Sequence, residues 1–198
     1  MTATEPTPSS PLAPGPAPDP ELARDVDACC RLTGDFTLRS GQRATEYFDK
    51  YLFEAQPALL ARVVERMVPL VPDDADLLGG LELGGVPIAT LLSARTGLPT
   101  LFVRKHAKEY GTRKAAEGPD VAGRRVVLVE DVVTTGGAVR DAAAALRAAG
   151  AVVGTVVCAI DRSPDGVDPF AHDGLSLRAV LTRAELDRAR AGHPSTAG

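Results

Sequence analysis

The sequence predicts an α/β fold built on a parallel sheet, and three observations carry that expectation. From residue 76 onward, short apolar runs alternate with stretches of helical periodicity, the order that gives a parallel sheet with right-handed crossovers. One run, Val126, Val127, Leu128 and Val129, is unbroken by any polar residue, as a strand covered on both faces requires. Glycine-rich turns follow two of the runs, at 81–85 and 134–137, and such sheets bind ligands at the carboxyl ends of their strands.

The elements follow in order. Residues 1–18 belong to a low-complexity stretch with seven prolines before residue 21. So little apolar surface cannot offset its ordering entropy, so a disordered, partly polyproline tail is expected. It has neither the basic start nor the apolar centre of a signal peptide. Asp19 and Pro20 open a helix as cap and first residue; Leu22, Val26, Cys29 and Cys30 carry it to Leu32, and Gly34 ends it. Residues 36–41 and 42–51 read as extended pieces around a glycine turn. Pro57 opens a second helix, whose stripe of Leu59, Leu60, Val63, Val64, Met67 and Val68 runs to Pro69. Then come a strand at 76–80, a helix at 86–95 with Gly97 past its end, and strands at 100–103 and 126–129. An alanine-rich helix at 138–149 is closed by Gly150. Strands at 151–160 and 175–181 and a helix at 183–190 complete the chain, and residues 191–198 read as a second frayed end.

A chain of 198 residues with 44% apolar content can bury one good core, so one domain with a small accessory element is expected. A net charge of −4 argues against a nucleic-acid-binding surface. The three cysteines, Cys29, Cys30 and Cys158, form no metal spacing, and an odd count fits a reducing cytoplasm. No run approaches the roughly 20 apolar residues of a membrane span.

The chemistry concentrates at 125–138. After the apolar run come Glu130 and Asp131, then Val132 and Val133, then Thr134, Thr135, Gly136, Gly137 and Ala138 at the start of the alanine-rich helix. Hydroxyls and free backbone N–H groups at the positive end of a helix hold a phosphate. A Walker loop would need a lysine before its Ser/Thr, and a dinucleotide fingerprint would need Gly-x-Gly-x-x-Gly after the strand; neither is present. Two acids ahead of a phosphate cradle suit a ligand with hydroxyls close to its phosphate, such as a ribose 5-phosphate. A second stretch, 104–118, has cationic side chains at Arg104, Lys105, Lys108, Arg113 and Lys114 without an apolar stripe. It reads as a mobile lid able to close over pyrophosphate. His106 and His172 read as exposed polar residues, and Cys158 as core.

The motif from Glu130 to Ala138 resembles, position by position, the PRPP-binding signature of the type I phosphoribosyltransferases. Phe36-Thr-Leu-Arg-Ser-Gly41, Tyr47-Phe48, Gly85-Val-Pro-Ile-Ala89, Arg104-Lys105-x-Ala-Lys108-x-Tyr-Gly111 and Asp161-Arg162 extend the resemblance to the orotate phosphoribosyltransferases, over about Leu22 to Asp187. The resemblance implies a Rossmann-like parallel sheet of the type I phosphoribosyltransferase kind, with residues 19–56 as a small N-terminal hood and 57–190 as the α/β core. It implies the reaction of orotate with PRPP to give orotidine 5′-monophosphate and pyrophosphate, a step of pyrimidine biosynthesis, with Mg²⁺ held mainly through PRPP and water. Thr134, Thr135, Gly136, Gly137 and Ala138 would hold the 5′-phosphate, with Val132 and Val133 leading into them. Glu130 and Asp131 would hold the ribose hydroxyls. Arg104, Lys105 and Lys108 would meet pyrophosphate, the loop reaching in part into the neighbouring subunit of a homodimer. Thr134 and Arg162 would bind orotate, Tyr47 and Phe48 would form the wall for its ring, and Arg39 stands where many members have a substrate-contacting lysine. The residues implied to carry catalysis are Lys108, Asp131 and Glu130.

The residues agree with that chemistry. Orotate carries a carboxylate, for which Arg162 offers a planar two-pronged donor. Displacement at an anomeric carbon passes through an oxocarbenium-like state that nearby carboxylates favour. Three positions depart from the family pattern. Glu130 replaces an aspartate, Tyr110 stands where some members have histidine, and Leu83-Gly84 replaces a Tyr-Lys pair that some members use on pyrophosphate. Two other readings stay open: transfer to another base, such as a purine, and a PRPP-sensing regulator that keeps the fold without turnover.

Overall fold

The computed structural model describes residues 17–37, 41–105 and 116–191. Arg39, His106, Lys108, Tyr110, Arg113 and Lys114, most of the proline-rich tail and residues 192–198 lie outside the described residues.

The first helix, α1 (Pro20–Cys30), starts as the sequence requires: the Asp19 side chain accepts the Leu22 N–H at 2.9 Å, and Pro20 takes the first position. It stops at Cys30, before the expected Leu32. Arg31 folds back onto Asp27 at 2.7 Å, and the chain enters a hairpin of β1 (Arg31–Thr37) and β2 (Arg43–Phe48), paired antiparallel. Strand pairing here outweighs the helical pattern of the sequence. The second extended piece also ends early: beyond Asp49 and Lys50 the chain makes a single helical turn, α2 (Tyr51–Glu54), where extended chain had been expected to Tyr51. The next helix, α3 (Pro57–Met67), passes into a 3-10 turn, Val68–Leu70, that accommodates Pro69.

The remaining chain forms β3 (Leu77–Leu81), α4 (Gly85–Thr96), β4 (Thr100–Val103), β5 (Ala116–Glu117), β6 (Arg125–Val133), α5 (Gly137–Ala148), β7 (Val152–Asp161), β8 (Ser176–Thr182) and α6 (Arg183–Ala191). Six strands make one sheet in the order β5-β4-β3-β6-β7-β8, parallel except where β5 meets β4. The short β5 lies in the stretch that the sequence left without structure. Two apolar layers cover the sheet. Val127 and Val129 join the layer under α1, α3, α4 and α6, and Val126 and Leu128 join the layer under α5. The unbroken apolar run is thus split alternately between two cores. Each such buried side chain contributes about 1.5–3 kcal/mol. Among the described residues no helix is long and apolar enough to cross a membrane.

The strand order reverses between β3 and β6: the chain moves outward to β4 from one and outward to β7 from the other. That reversal opens a crevice at the carboxyl ends of the two strands.

Candidate active site

Strand β6 runs through both acids rather than ending before them. Its pairing with β7 continues from Glu130 opposite Cys158 to Val133 opposite Asp161. A rigid strand therefore holds Asp131, which is fully buried, and the half-buried Glu130. The turn between β3 and α4 lies directly against them. A Cβ on Gly84 would sit 1.7 Å from Asp131 Oδ2, and one on Gly85 would sit 2.3 Å from the Val129 carbonyl oxygen. These two glycines are demanded by close approach. Leu83, beside them, is 64% exposed.

Two residues that the sequence reading did not single out complete the acidic centre. Lys50, at the start of α2, brings its ammonium to 2.6 Å from Asp131 Oδ2. Burial by itself would lower the lysine's pKa, but Asp131 and then Glu130 outweigh it and the net shift is upward. Glu54, at the end of the same turn, has a buried Oε1 for which the described residues offer no hydrogen bond of ordinary geometry. Burial, followed by the charge of Asp131, raises its pKa. The same two causes push the Glu130 carboxyl up to about 8, with Lys50 opposing them. No periodicity or motif announces a contact between residues so distant in the chain.

The turn that the sequence reads as a phosphate cradle begins where β6 ends. Thr134 and Thr135 are exposed, Gly136 has a φ of +75°, and α5 starts at Gly137 with no side-chain cap on its first turn. Its opening N–H groups are thus available to an anion. The cradle is braced from below. A Cβ on Gly136 would meet the Phe170 ring at 2.5 Å, and Arg140 donates to the Thr135 carbonyl at 2.8 Å and the Pro169 carbonyl at 2.9 Å. Arg140 and Phe170 also escaped the sequence reading, since neither belongs to the signature.

Arg162 follows β7 directly. Its backbone N–H donates to the Val133 carbonyl at 2.8 Å, which ties it to the end of β6. Its guanidinium carbon lies 4.8 Å from the centroid of the Phe48 ring, a cation–π arrangement. Burial and then the cations Arg31 and Arg183 lower its pKa. Asp161, meanwhile, accepts from the Ser163 N–H at 2.9 Å. Phe48 and Tyr47 part company, because successive residues of a strand face opposite ways. Tyr47 is 45% exposed and lies 5.6 Å from the Phe36 ring.

Arg104 and Lys105 stand at the end of β4. The Arg104 side chain pairs with Glu117 at 3.2 Å, and the Lys105 N–H donates to Glu82 at 3.0 Å. The crevice therefore gathers Glu130, Asp131, the 134–138 turn and Arg162, with Phe48 and Lys50 entering from the hairpin side. Cys158 is fully buried, and His172 is exposed. A separate depression of about 740 Å³ lies among α1, the hairpin and α6. Its charges are already matched, Arg31 with Asp27 and Glu46 and Arg190 with Glu46, so it is an ion network apart from the crevice.

Comparison with known proteins bears on the family and the fold. The family model described as phosphoribosyl transferase domain matches residues 54–173. The chain is 73% identical to an orotate phosphoribosyltransferase of a Nocardioides species, over 87% of this chain and 96% of the relative. It is 40% identical to the orotate phosphoribosyltransferase of Methanocella arvoryzae, over 77% of this chain and 87% of the relative. Among solved structures, the Mycobacterium tuberculosis orotate phosphoribosyltransferase in complex with Fe(III) dicitrate superposes with a TM-score of 0.74 at 35% identity, covering 84% of this chain and 97% of that one. A fold reversed at β3 and β6, an acidic pair feeding a helix-capped cradle, and relatives matched over nearly their whole length lead to one assignment: the chain belongs to the orotate phosphoribosyltransferases, within the phosphoribosyl transferase domain family.

Proposed function

We propose that the crevice between β3 and β6 carries the orotate phosphoribosyltransferase reaction, in which the protein transfers the 5-phosphoribosyl group of PRPP to orotate and releases pyrophosphate. The observation that carries this reading is the continuity of β6: one strand presents Glu130 and Asp131 and then delivers the chain to the α5 cradle, beside Arg162 at the end of β7.

The 5′-phosphate sits on the N–H groups and hydroxyls of residues 134–138 at the positive end of α5. Glu130 and Asp131 accept from the ribose hydroxyls. As the bond from C1′ to pyrophosphate oxygen breaks, positive charge grows on the ribose, and these carboxylates favour it. The bond from C1′ to the orotate ring nitrogen forms, and that nitrogen's proton passes to the departing pyrophosphate. Arg162 pairs with the orotate carboxylate and Phe48 lies against the ring, while Thr134 contacts the base from the cradle. Arg104 and Lys105 draw toward the leaving pyrophosphate; Lys108 and Arg39 keep the roles that the family resemblance gives them, while Tyr47, turned to the other face of β2, leaves the wall for the ring to Phe48. Residues 19–56 act as a hood over a core at 57–190.

The crevice suits a magnesium ion that arrives with PRPP. Its donors are carboxylate oxygens, and among the described residues no group of three or more His, Cys, Asp or Glu forms a cage. A magnesium ion of this kind would keep most of its waters, with Glu130 and Asp131 as the nearest protein carboxylates. When bound, it would supply neutralisation of the charge developing on pyrophosphate. The three cysteines are all free, which suits the reducing cytoplasm as the working compartment, and the protein acts as a homodimer.

Loss of orotate absorbance on adding PRPP and Mg²⁺ tests the reading, with uracil and hypoxanthine as rival acceptors. Turnover of either rival in preference to orotate would move the protein to another base. PRPP binding without turnover of any of them would make it a sensor.

A further inference from the structure

We infer that Lys50 is a positioning residue for the Asp131 carboxylate, and that through it the N-terminal hairpin sets the geometry of the ribose site. The inference rests on the assignment of Asp131 to the ribose hydroxyls. Asp131 is fully buried, and a buried carboxylate is costly unless paired. Its surroundings are otherwise acidic: Glu130 precedes it, and Glu54 Oε1 crowds it from α2. A Cβ placed on Gly84 would lie 1.7 Å from Asp131 Oδ2 and 2.7 Å from Glu54 Oε1, so the two oxygens share one small space. Asp131 Oδ1 accepts from the adjacent Val132 N–H. Beyond the ion pair, and among the described residues, the neighbour that can bond Oδ2 is the Glu54 carboxyl, whose pKa burial and Asp131 raise. Lys50 Nζ, at 2.6 Å from that oxygen, therefore fixes which way the carboxylate turns.

Lys50 reaches Asp131 from outside the strand that carries it. Its side chain is 33% exposed, with the ammonium also 5.3 Å from the Tyr51 ring centroid, so water can reach it. Two residues earlier, Phe48 meets Arg162. The same short stretch thus touches both ends of the proposed site, the ribose acid through Lys50 and the orotate cation through Phe48. Lys50 holds the carboxylate ready for the ribose and acts on PRPP alone, whereas Phe48 acts on orotate.

The test compares Lys50→Met, Lys50→Arg and Asp131→Asn in the full chain, measuring melting temperature and kcat/KM for PRPP and for orotate. Lys50→Met should lower kcat/KM for PRPP about ten-fold or more, the worth of one lost charge-assisted contact, and change KM for orotate less than about two-fold. Lys50→Arg keeps a cation within reach and should stay within about three-fold of the unmodified protein. Three results overturn the inference: an unchanged PRPP constant in Lys50→Met, an equal loss towards both substrates, or an arginine variant as impaired as the methionine one. Asp131→Asn reports separately on the assignment beneath it. Full turnover in that variant removes Asp131 from the ribose site whatever Lys50 does, while an impaired Asp131→Asn beside a fully active Lys50→Met defeats only the role of Lys50.

Discussion

Burial and the neighbouring Asp131 push the Glu130 carboxyl up to about 8, from an ordinary value of 4.5. The folded protein then holds a proton that the unfolded chain releases. The stability this proton confers is complete below the unfolded value and is lost as pH rises through the folded one. Melting temperature should accordingly fall between about pH 5 and about pH 8.5, and Glu130→Gln should flatten part of that slope. An unaltered slope would contradict it. Glu54, raised by the same causes, shifts stability in the same direction. Activity should run the other way, with kcat/KM for PRPP climbing as Glu130 ionises. Asp131→Asn removes a charge but little volume, so turnover should drop by about 100-fold or more while the protein stays folded. Retained turnover, or a failure to fold, would refute the role. At this scale the acids were legible because two carboxylates interrupt an apolar run just before a glycine turn. Lys50 and Glu54 were not, because their part depends on where the hairpin lands against β6, and no local pattern encodes that.

Elements were legible where one force dominated them. The strand at 100–103 and the helices after Pro57 and Gly84 match their patterns closely, since apolar periodicity and glycine or proline punctuation agree there. Boundaries moved where pairing competed with local signals. Two acids read as the end of a strand, yet β6 continues because β7 keeps bonding alongside it to Val133. In the same way β1 draws Arg31 and Leu32 out of the expected helix. The cradle between β6 and α5 was visible as a motif, but its brace was not. Gly136→Ala would force a positive φ on alanine and drive a methyl group to 2.5 Å from the Phe170 ring. A loss of about 1–3 kcal/mol in stability is expected from urea unfolding, together with a weaker PRPP affinity, since the strain falls on the turn proposed to hold the phosphate. A variant of unchanged stability would show that the turn can relax without Phe170.

Across the whole molecule, the cations resemblance assigns to pyrophosphate start from β4, and β3 stands between them and the acids of β6. Adjacent strands lie about 4.8 Å apart, so the stem of the 104–118 stretch is about 10 Å from the ribose acids of its own chain. That stem is anchored, through Arg104 to Glu117 and through the Lys105 N–H to Glu82. Lys108 follows Lys105 by three residues, which span at most about 10 Å when extended. Reach therefore allows Lys108 to serve its own subunit or a neighbouring one, and only an experiment that separates the two chains can decide. Lys108→Ala and Asp131→Asn should each be nearly inactive alone. When the two are mixed and allowed to exchange subunits, a loop shared across a homodimer gives each mixed dimer one site with both residues intact. Statistical mixing should then restore about a quarter of the unmodified rate. A mixture no more active than its parents, with exchange verified by native mass spectrometry, would mean that Lys108 works within its own chain and that the dimer is not needed to complete the site.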